Sequence, residues 1–313
     1  MSHFTVLVIG ENPESQLEPF DENINAPEYQ RELVSEEDKE KFLNLYQNYD
    51  PARVYAKITE GEAERNKTLS FDELYNIYGD DWNGNSWRKN EEGEWGEFST
   101  YNPDSKWDWY QLGGRWTGFL KLKNGAEGEV GNFSLVSTTR ADNGWCDQAL
   151  KQDIDFEGMR DKSGNDARDR YNEVLIVFGG VIPKVEIKWS DICYENNPLY
   201  NILDWDEKRN LYNGQPAVKK ANTLAELNRE TLGHFFDVTD FDCTLEEYVQ
   251  QARDNAISTF AILKDGVWYE RGKMGWWAIV SDEKEKDVWN KEFSKLIDEL
   301  SDDTLISLYD CHV

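Results

Sequence analysis

The chain has 313 residues, and its 62 Asp and Glu against 34 Lys and Arg give a formal net charge of −28 at pH 7. Such a charge is typical of disordered chains, but aromatic residues make up 13% of this sequence, and disordered chains are poor in them. The composition therefore predicts a folded protein with a large core, and its acidity argues against direct contact with nucleic acid.

Neither a membrane segment nor an export signal is predicted. No stretch approaches the ~20 apolar residues of a transmembrane helix, and the first residues lack the basic region, apolar segment and cleavage site of a secretory signal. The cysteines are far apart, which is typical of a protein in a reducing compartment. They are Cys146, Cys193, Cys243 and Cys311. We therefore expect a cytoplasmic protein.

The first predicted element is a strand, His3–Ile9, which is apolar on both faces and is therefore expected at the centre of a sheet. The acidic stretch 11–29 contains three prolines and is predicted to be a surface loop. Helices are expected after Ser35 and Ser70, because an acidic residue follows each serine three positions later, as in a helix cap.

A tryptophan-rich segment of loops and strands is predicted from about residue 80 to residue 124. Within it, a glycine pair at 113–114 indicates a turn or a close backbone contact. A strand is expected to follow at 117–122. Six of the 13 tryptophans lie in this segment: Trp82, Trp87, Trp95, Trp107, Trp109 and Trp116.

The next part of the chain is predicted to contain a helix at 166–173, two strands and a long irregular stretch. The apolar run 174–178 has the length of a strand, and alternating apolar residues predict another strand at 185–189. Residues 196–217 are expected to be rich in loops.

The last part of the chain is predicted to form helix, hairpin, helix and strand. Thr244 with Glu247 predicts the start of one helix, and Asp282 with Glu285 predicts the start of the last one. A hairpin at 260–269 lies between the two helices, and a final strand is expected at 304–312.

This mixture of elements predicts the α+β class with mostly antiparallel sheet, because strands and helices do not alternate regularly and the hairpin signals favour antiparallel pairing. The strands at the two termini are expected to lie in one sheet. No linker divides the sequence, so residues 1–313 are predicted to form a single unit.

Four pieces of the sequence together resemble an uncharacterised family found in tailed bacteriophages and prophages. They are HFTVLVIG at 3–10, KWDWY at 106–110 with GGRW at 113–116, GKMGWW at 272–277, and DCHV at 310–313. The resemblance implies a phage accessory protein that works in a bacterial cytoplasm. It carries over no activity and no residue role.

The aromatic and charged residues of these pieces are the candidate binding residues. Their rings could stack on a sugar, a base or an arginine, and tryptophan is frequent at interface hot spots. The alternative is that the rings pack an irregular segment, with Arg115 paired to Asp108 or lying on a tryptophan. The candidates are Trp107, Asp108, Trp109, Tyr110, Arg115, Trp116, Trp276 and Trp277.

A second hypothesis is a metal site between the terminal strands. If these strands pair, His3, Asp310 and His312 could converge, whereas Cys311 would point to the other face. No pair of ligands has the spacing of a zinc motif, so ordinary residues of a sheet edge are the alternative. No cofactor is predicted.

A third hypothesis is carboxylate chemistry, as in glycoside hydrolases, because acids cluster at 142–157 and at 237–242 beside many aromatic residues. A chain with 62 acids contains such clusters without any function. There is no nucleophile elbow, Walker loop or dinucleotide-binding motif. The sequence therefore identifies no enzyme and no catalytic residue.

The leading hypothesis is a phage-encoded binding protein that inhibits a host defence or nucleic-acid-handling protein. Its distributed carboxylates would attract a basic surface of the host protein and mimic phosphates, and exposed aromatic rings would act as anchors. A carbohydrate-active or metal-dependent enzyme is the alternative function. Acidity also serves solubility alone and identifies no partner.

Overall fold

The structure is a computed structural model that describes residues 2–53, 58–79, 85–133, 144–193, 202–234, 236–275 and 279–313. Its strands are β1 (His3–Ile9), β2 (Tyr29–Leu33), β3 (Asn85–Lys89), β4 (Trp95–Ser99), β5 (Trp109–Gly114), β6 (Leu120–Lys121), β7 (Asn132–Phe133), β8 (Trp145–Cys146), β9 (Gln148–Leu150), β10 (Ala261–Lys264), β11 (Val267–Glu270), β12 (Lys273–Met274), β13 (Val280–Ser281) and β14 (Leu305–His312).

The helices are α1 (Pro13–Leu17), α2 (Glu36–Gln47), α3 (Glu60–Asn66), α4 (Phe71–Tyr78), α5 (Phe156–Val177), α6 (Trp189–Cys193), α7 (Trp205–Gly214), α8 (Pro216–Leu227), α9 (Arg229–Leu232), α10 (Leu245–Asn255) and α11 (Lys286–Asp298). Short 3-10 turns occupy Glu18–Phe20, Lys151–Asp153 and Val238–Phe241. None of the helices in the described ranges is long and apolar enough to cross a membrane.

The central sheet confirms the α+β class and the position of both terminal strands. Its strands follow the order β11-β10-β1-β14-β5-β7, and β9 pairs with the first residues of β14. β1 and β14 are antiparallel along their whole length, from His3 opposite His312 to Ile9 opposite Ile306. β1 also pairs with β10 on its other side, in parallel. The first strand is therefore central, as its apolar faces predicted.

The two faces of β1 belong to two different parts of the core. Leu7 and Ile9 pack with Trp289 and Phe293 of α11. On the opposite face, alternate residues of β1 pack with Leu17 and with aromatic rings of the N-terminal half. Burying a large apolar side chain stabilises a fold by ~1.5–3 kcal/mol, so both faces hold this strand in place.

A third part of the core lies among helices of the C-terminal half. Val174 and Phe178, at the end of α5, pack with Val218 and Ala221 of α8. The strand predicted at 174–178 is therefore wrong. Its apolar run is the buried end of a helix and its cap, and a short apolar run does not distinguish the two structures.

Side-chain caps confirm most of the predicted helix starts. Ser35, Ser70 and Thr244 each accept a hydrogen bond from the backbone N–H three residues later. The last helix differs, because α11 begins after Glu285, whose side chain makes no capping hydrogen bond. The helix cap predicted from Asp282 and Glu285 is therefore wrong. The last helix and the final strand are confirmed.

Two stretches predicted to be loops contain helices. In 11–29, Pro13 occupies the first turn of α1, a position where its missing N–H costs nothing. In the described part of 196–217, Asp204 and Glu207 form a capping box that starts α7. Both signals are present in the sequence, and the surrounding prolines and turn residues obscured them.

Two predicted strands are absent or shortened within the described residues. At 185–189, the backbone N–H groups of Glu186 and Ile187 donate to the Gln215 side chain, so a side chain takes the place of a neighbouring strand. At 117–122, the strand is reduced to β6, and Leu122 adds one isolated bridge to Ile154. Thr117 there donates to the carbonyl groups of Gly114 and Asn132.

Candidate functional site

The start of β1, the end of β14 and the start of β5 meet at one end of the central sheet. His3 lies opposite His312, and His312 lies opposite Trp109. Directly opposed residues share a face, and Asp310 lies on that face as well, two positions from His312. We call His3, Asp108, Trp109, Asp310 and His312 the histidine cluster.

Asp310 is a fully buried carboxylate, and both of its oxygens have partners. Oδ1 lies 2.7 Å from Nδ1 of His3, and Oδ2 accepts the backbone N–H of Arg115 at 2.9 Å. When Asp310 is ionised, Nδ1 of His3 carries the proton and donates it to this hydrogen bond. Nε2 of His3 is then the nitrogen that can accept a hydrogen bond from a ligand.

His312 forms the second histidine–carboxylate pair of the cluster. Its Nδ1 lies 2.5 Å from Oδ1 of Asp108, which is more exposed than Asp310. The rings of His3 and His312 are 4.9 Å apart and meet edge to face. The pairing of Asp108 with Arg115 considered from the sequence is therefore wrong, and the Arg115 side chain is exposed.

The glycine pair 113–114 carries β5 past two buried carboxylates. Both glycines have positive φ, +75° and +56°. A Cβ on Gly113 would lie 2.6 Å from Oδ2 of Asp147, and one on Gly114 would overlap with Asp310. The predicted close backbone contact is confirmed. The two carboxylates could not be identified from the sequence, because both are distant along the chain.

Asp147 organises the loops around β5. One oxygen accepts the N–H of Gly118 at 2.7 Å, and the other accepts the N–H of Gly131 at 2.8 Å. Burial raises the pKa of Asp147 above its usual value, and these backbone hydrogen bonds oppose the rise. This carboxylate is enclosed by the backbone, so its role is structural.

The predicted binding rings divide between the interior and the surface. Trp107 is 5% exposed and packs edge-on against Tyr110, so it belongs to the core. Trp109 is 44% exposed, and its ring lies 6.1 Å from that of His3. Trp116 is half-buried. The packing alternative therefore accounts for Trp107, whereas Trp109 presents nearly half of its surface to solvent.

The three metal-ligand candidates come together without forming a metal centre. Within the described ranges, no three side chains of His, Cys, Asp or Glu are arranged to hold an ion. His3 and His312 direct Nδ1 to separate carboxylates. Cys311 points to the opposite face, as expected, and its complete burial raises the pKa of its thiol well above the usual value.

Four carboxylates of the acidic clusters considered for glycoside hydrolysis have structural roles. Asp155 caps α5, and Glu157 forms an ion pair with an arginine of α10. Asp237 caps a 3-10 turn, and Asp242 pairs with two lysines. Asp142 lies outside the described residues. Carboxylates that are held in caps and ion pairs are poorly placed to act as an acid and a base on a sugar.

An acidic segment, residues 11–22, lies against the tryptophan-rich segment. The Phe20 carbonyl accepts the N–H of Lys106, and the N–H of Glu22 donates to the Trp107 carbonyl, both at 2.8 Å. The segment contains no Lys or Arg, and the described residues place no basic side chain within 4 Å of its carboxylates. We call the exposed carboxylates of this segment, together with that of Asp104, the acidic surface: Glu11, Glu14, Glu18 and Asp104.

Hydrogen bonds connect the parts of this acidic surface. Asn102 donates to the Pro19 and Asp21 carbonyls, and its own Oδ1 accepts the N–H of Asp104. Asn23 donates to the Asp108 carbonyl at 3.1 Å, one residue before the exposed Trp109. These hydrogen bonds therefore fix the position of the acidic segment relative to the backbone beside Trp109.

Comparisons with protein-family models, with curated proteins and with solved structures find no match for this chain. Described residues of the four sequence pieces named above lie in or beside the central sheet. His3, Trp109 and His312 meet in the histidine cluster, and Met274 packs in the same part of the core as Phe4. Three tryptophans named in the predictions lie outside the described residues. They are Trp82 of the tryptophan-rich segment and the two candidate binding residues Trp276 and Trp277.

Proposed function

We propose that this chain is a binding protein whose acidic surface occupies a basic surface of a partner protein. The observation that carries the proposal is the lack of basic ion-pair partners around residues 11–22 among the described residues. Unpaired carboxylates keep their full field, which attracts and orients a basic partner. Glu14, Asp21 and Glu18 already act on their surroundings, because they add to the burial that raises the pKa of Tyr110.

Trp109 supplies the apolar part of the proposed contact. It is exposed, and its backbone is fixed by pairing with β14. Tryptophan side chains that become desolvated in an interface are among the strongest contributors to binding. Electrostatic attraction would accelerate the encounter, and burial of this ring would slow dissociation.

The specific form of the proposal is a phage-encoded inhibitor of a host defence or nucleic-acid-handling protein. The phage context comes from the family resemblance, and the acidic surface matches the basic groove of a nucleic-acid enzyme. Carboxylates would then take the place of backbone phosphates. This mode of action needs no catalytic residue in the present chain.

Capture of partners from a bacterial lysate tests the proposal. The wild-type chain is expected to retain a partner that Trp109→Ala releases. Trp205→Ala is the matched control, because Trp205 is also exposed but lies on α7. Equal capture by wild type and Trp109→Ala would show that Trp109 does not contribute to the interface. Capture of no partner would contradict the proposal.

A further inference from the structure

A groove of about 370 Å³ opens beside His3, next to the first turns of α11. Its basic residues are His3, Arg271 and Lys286, and the described residues that line it include no Asp or Glu. The neighbouring groove is lined by two lysines and by five carboxylates: Asp254, Asp282, Glu283, Glu285 and Asp287. The groove beside His3, which we call the His3 groove, thus has a lining without carboxylates, although it shares Asn255, Lys286 and Asn290 with the acidic groove.

Several hydrogen-bond donors of the His3 groove are available to a ligand. Arg271 pairs with Glu283 through Nε at 2.8 Å, which leaves its two terminal nitrogens as donors. Lys286 is exposed and forms no ion pair within 4 Å among the described residues, although its charge opposes the rise that burial causes in the pKa of Asp240. The Asn255 side chain accepts from Asn290 through Oδ1, so its Nδ2 is also available.

The helix that begins at the groove adds to this donor set. α11 has 13 residues, and no side chain caps its first turn. The first amide groups of a helix have no partner within the helix, and the helix dipole makes this end favourable for an anion. Lys286, Trp289 and Asn290 of α11 all line the groove. Two permanent cations and a helix start match a doubly charged anion better than a single carboxylate.

One wall of the groove is aromatic and the other is polar. Trp116 is half-buried and contributes to the lining, so part of its ring remains open to a ligand. On the polar side, Ser258 donates to Asn290 at 2.6 Å, which fixes the Asn290 amide. A volume of this size is within the range of small-molecule sites, which combine apolar walls with a few placed polar groups.

We propose that the His3 groove binds a small phosphate monoester that carries a planar ring. The phosphate would lie between Arg271, Lys286 and the first turn of α11, and the ring would lie against Trp116. His3, oriented by Asp310, contacts the ester through Nε2. The lining of this groove includes no carboxylate of the acidic surface, and binding of the ligand does not require the proposed protein partner, although the ring of Trp109 lies 6.1 Å from that of His3.

Calorimetric titration with three probes tests this site: adenosine 5′-monophosphate, inorganic phosphate and adenosine. The monophosphate is expected to bind saturably, inorganic phosphate more weakly and adenosine not at all. Lys286→Gln should weaken binding of the monophosphate by about tenfold or more, since a charged hydrogen bond is lost. Lys291→Gln is the matched control, an exposed lysine on the same helix outside the groove. It should change the affinity by less than about twofold.

Three outcomes would overturn the proposal. The first is no saturable binding of the monophosphate or of inorganic phosphate. The second is equal weakening by Lys286→Gln and Lys291→Gln, which would indicate general attraction of the anion to basic side chains. The third is that one half of the ligand binds as tightly as the whole. Adenosine binding as tightly as its monophosphate would show that the phosphate contributes nothing, and inorganic phosphate binding as tightly would show that the ring contributes nothing.

Discussion

Nδ1 of His3 lies 2.7 Å from Oδ1 of Asp310, although 307 positions separate the two residues. Asp310 is completely buried, so this contact joins the first strand to the last one inside the protein. A buried carboxylate is costly unless it is paired, and His3 together with the Arg115 N–H provides this pairing. The contact therefore couples the ends of the chain to the integrity of the central sheet.

Removal of the Asp310 carboxylate should destabilise the fold far more than removal of the Asp108 carboxylate. Asp310→Ala leaves His3 and the Arg115 N–H without their partner in a buried site, and we expect a loss of about 3 kcal/mol. Asp108→Ala removes a carboxylate that is one third exposed, and we expect about 1 kcal/mol or less. Urea unfolding of both variants measures the difference. Equal losses would show that the greater burial of the Asp310 carboxylate does not increase its contribution to the stability of the fold.

Gly114→Ala should be more destabilising than Gly125→Ala. Both glycines have positive φ, which costs ~1–2 kcal/mol for other residues. A Cβ at Gly125 meets nothing within 4 Å, whereas one at Gly114 collides with Asp310 and adds ~1–3 kcal/mol of overpacking. Thermal unfolding of the two variants compares them. Similar melting temperatures would show that the backbone moves away from Asp310 without cost.

The glycine pair illustrates how much the sequence can predict. Its spacing and composition indicate a close backbone contact, but they do not indicate that Asp147 and Asp310 are the groups contacted. In the same way, the apolar faces of β1 predict a central strand from local pattern alone. Partners that are far apart along the chain are determined by strand pairing, which no local pattern specifies.

Helix and strand assignments failed for a related reason. The run 174–178 is equally apolar in a strand and in the buried end of a helix, and only its packing on α8 decides between them. The strand expected at 185–189 was replaced by hydrogen bonds to the Gln215 side chain. The basic lining of the His3 groove was also missed, because Arg271 and Lys286 carry no local signal and join His3 only through the fold.

Ionisation of Asp147 should make the folded protein less stable as pH rises. Its pKa is raised by burial, so the folded state holds this proton more tightly than the unfolded state does. Stability from this group is therefore greatest below its ordinary pKa near 4 and falls as pH rises through the raised value. Asp147→Asn removes the titration.

Urea unfolding of wild type and Asp147→Asn between about pH 4 and pH 7 tests this expectation. The free energy of unfolding should decrease more steeply with pH in the wild type than in the variant. All other groups titrate in both proteins, so their contributions cancel in the comparison. Parallel curves would show that Asp147 has the same pKa in the folded and unfolded states.

The native protein should contain two classes of cysteine. Cys146 and Cys311 are buried, and burial raises the pKa of Cys146 to about 12 and that of Cys311 well above its usual value. Thiolates are the reactive form, so neither residue should react with a maleimide at pH 7.5 while the protein is folded. Cys193 and Cys243 are partly exposed and should be modified first.

Peptide mapping by mass spectrometry after a short maleimide exposure distinguishes the two classes. Unfolding in urea should make all four residues reactive, which provides the control for reagent quality. Modification of Cys311 in the folded protein would mean that β14 opens readily. That result would contradict a tightly paired central sheet.

The most direct test of the central claim is the affinity of the captured partner for two triple variants. Glu11→Gln/Glu14→Gln/Glu18→Gln removes three exposed charges from the acidic surface, and Glu226→Gln/Glu230→Gln/Glu246→Gln removes three exposed charges elsewhere. Both variants have the same net charge. We expect the first to weaken binding by about tenfold or more at low salt and to flatten the dependence of affinity on salt. Equal affinities for the two variants, or affinity that does not change with salt, would contradict an acidic surface that binds a basic partner.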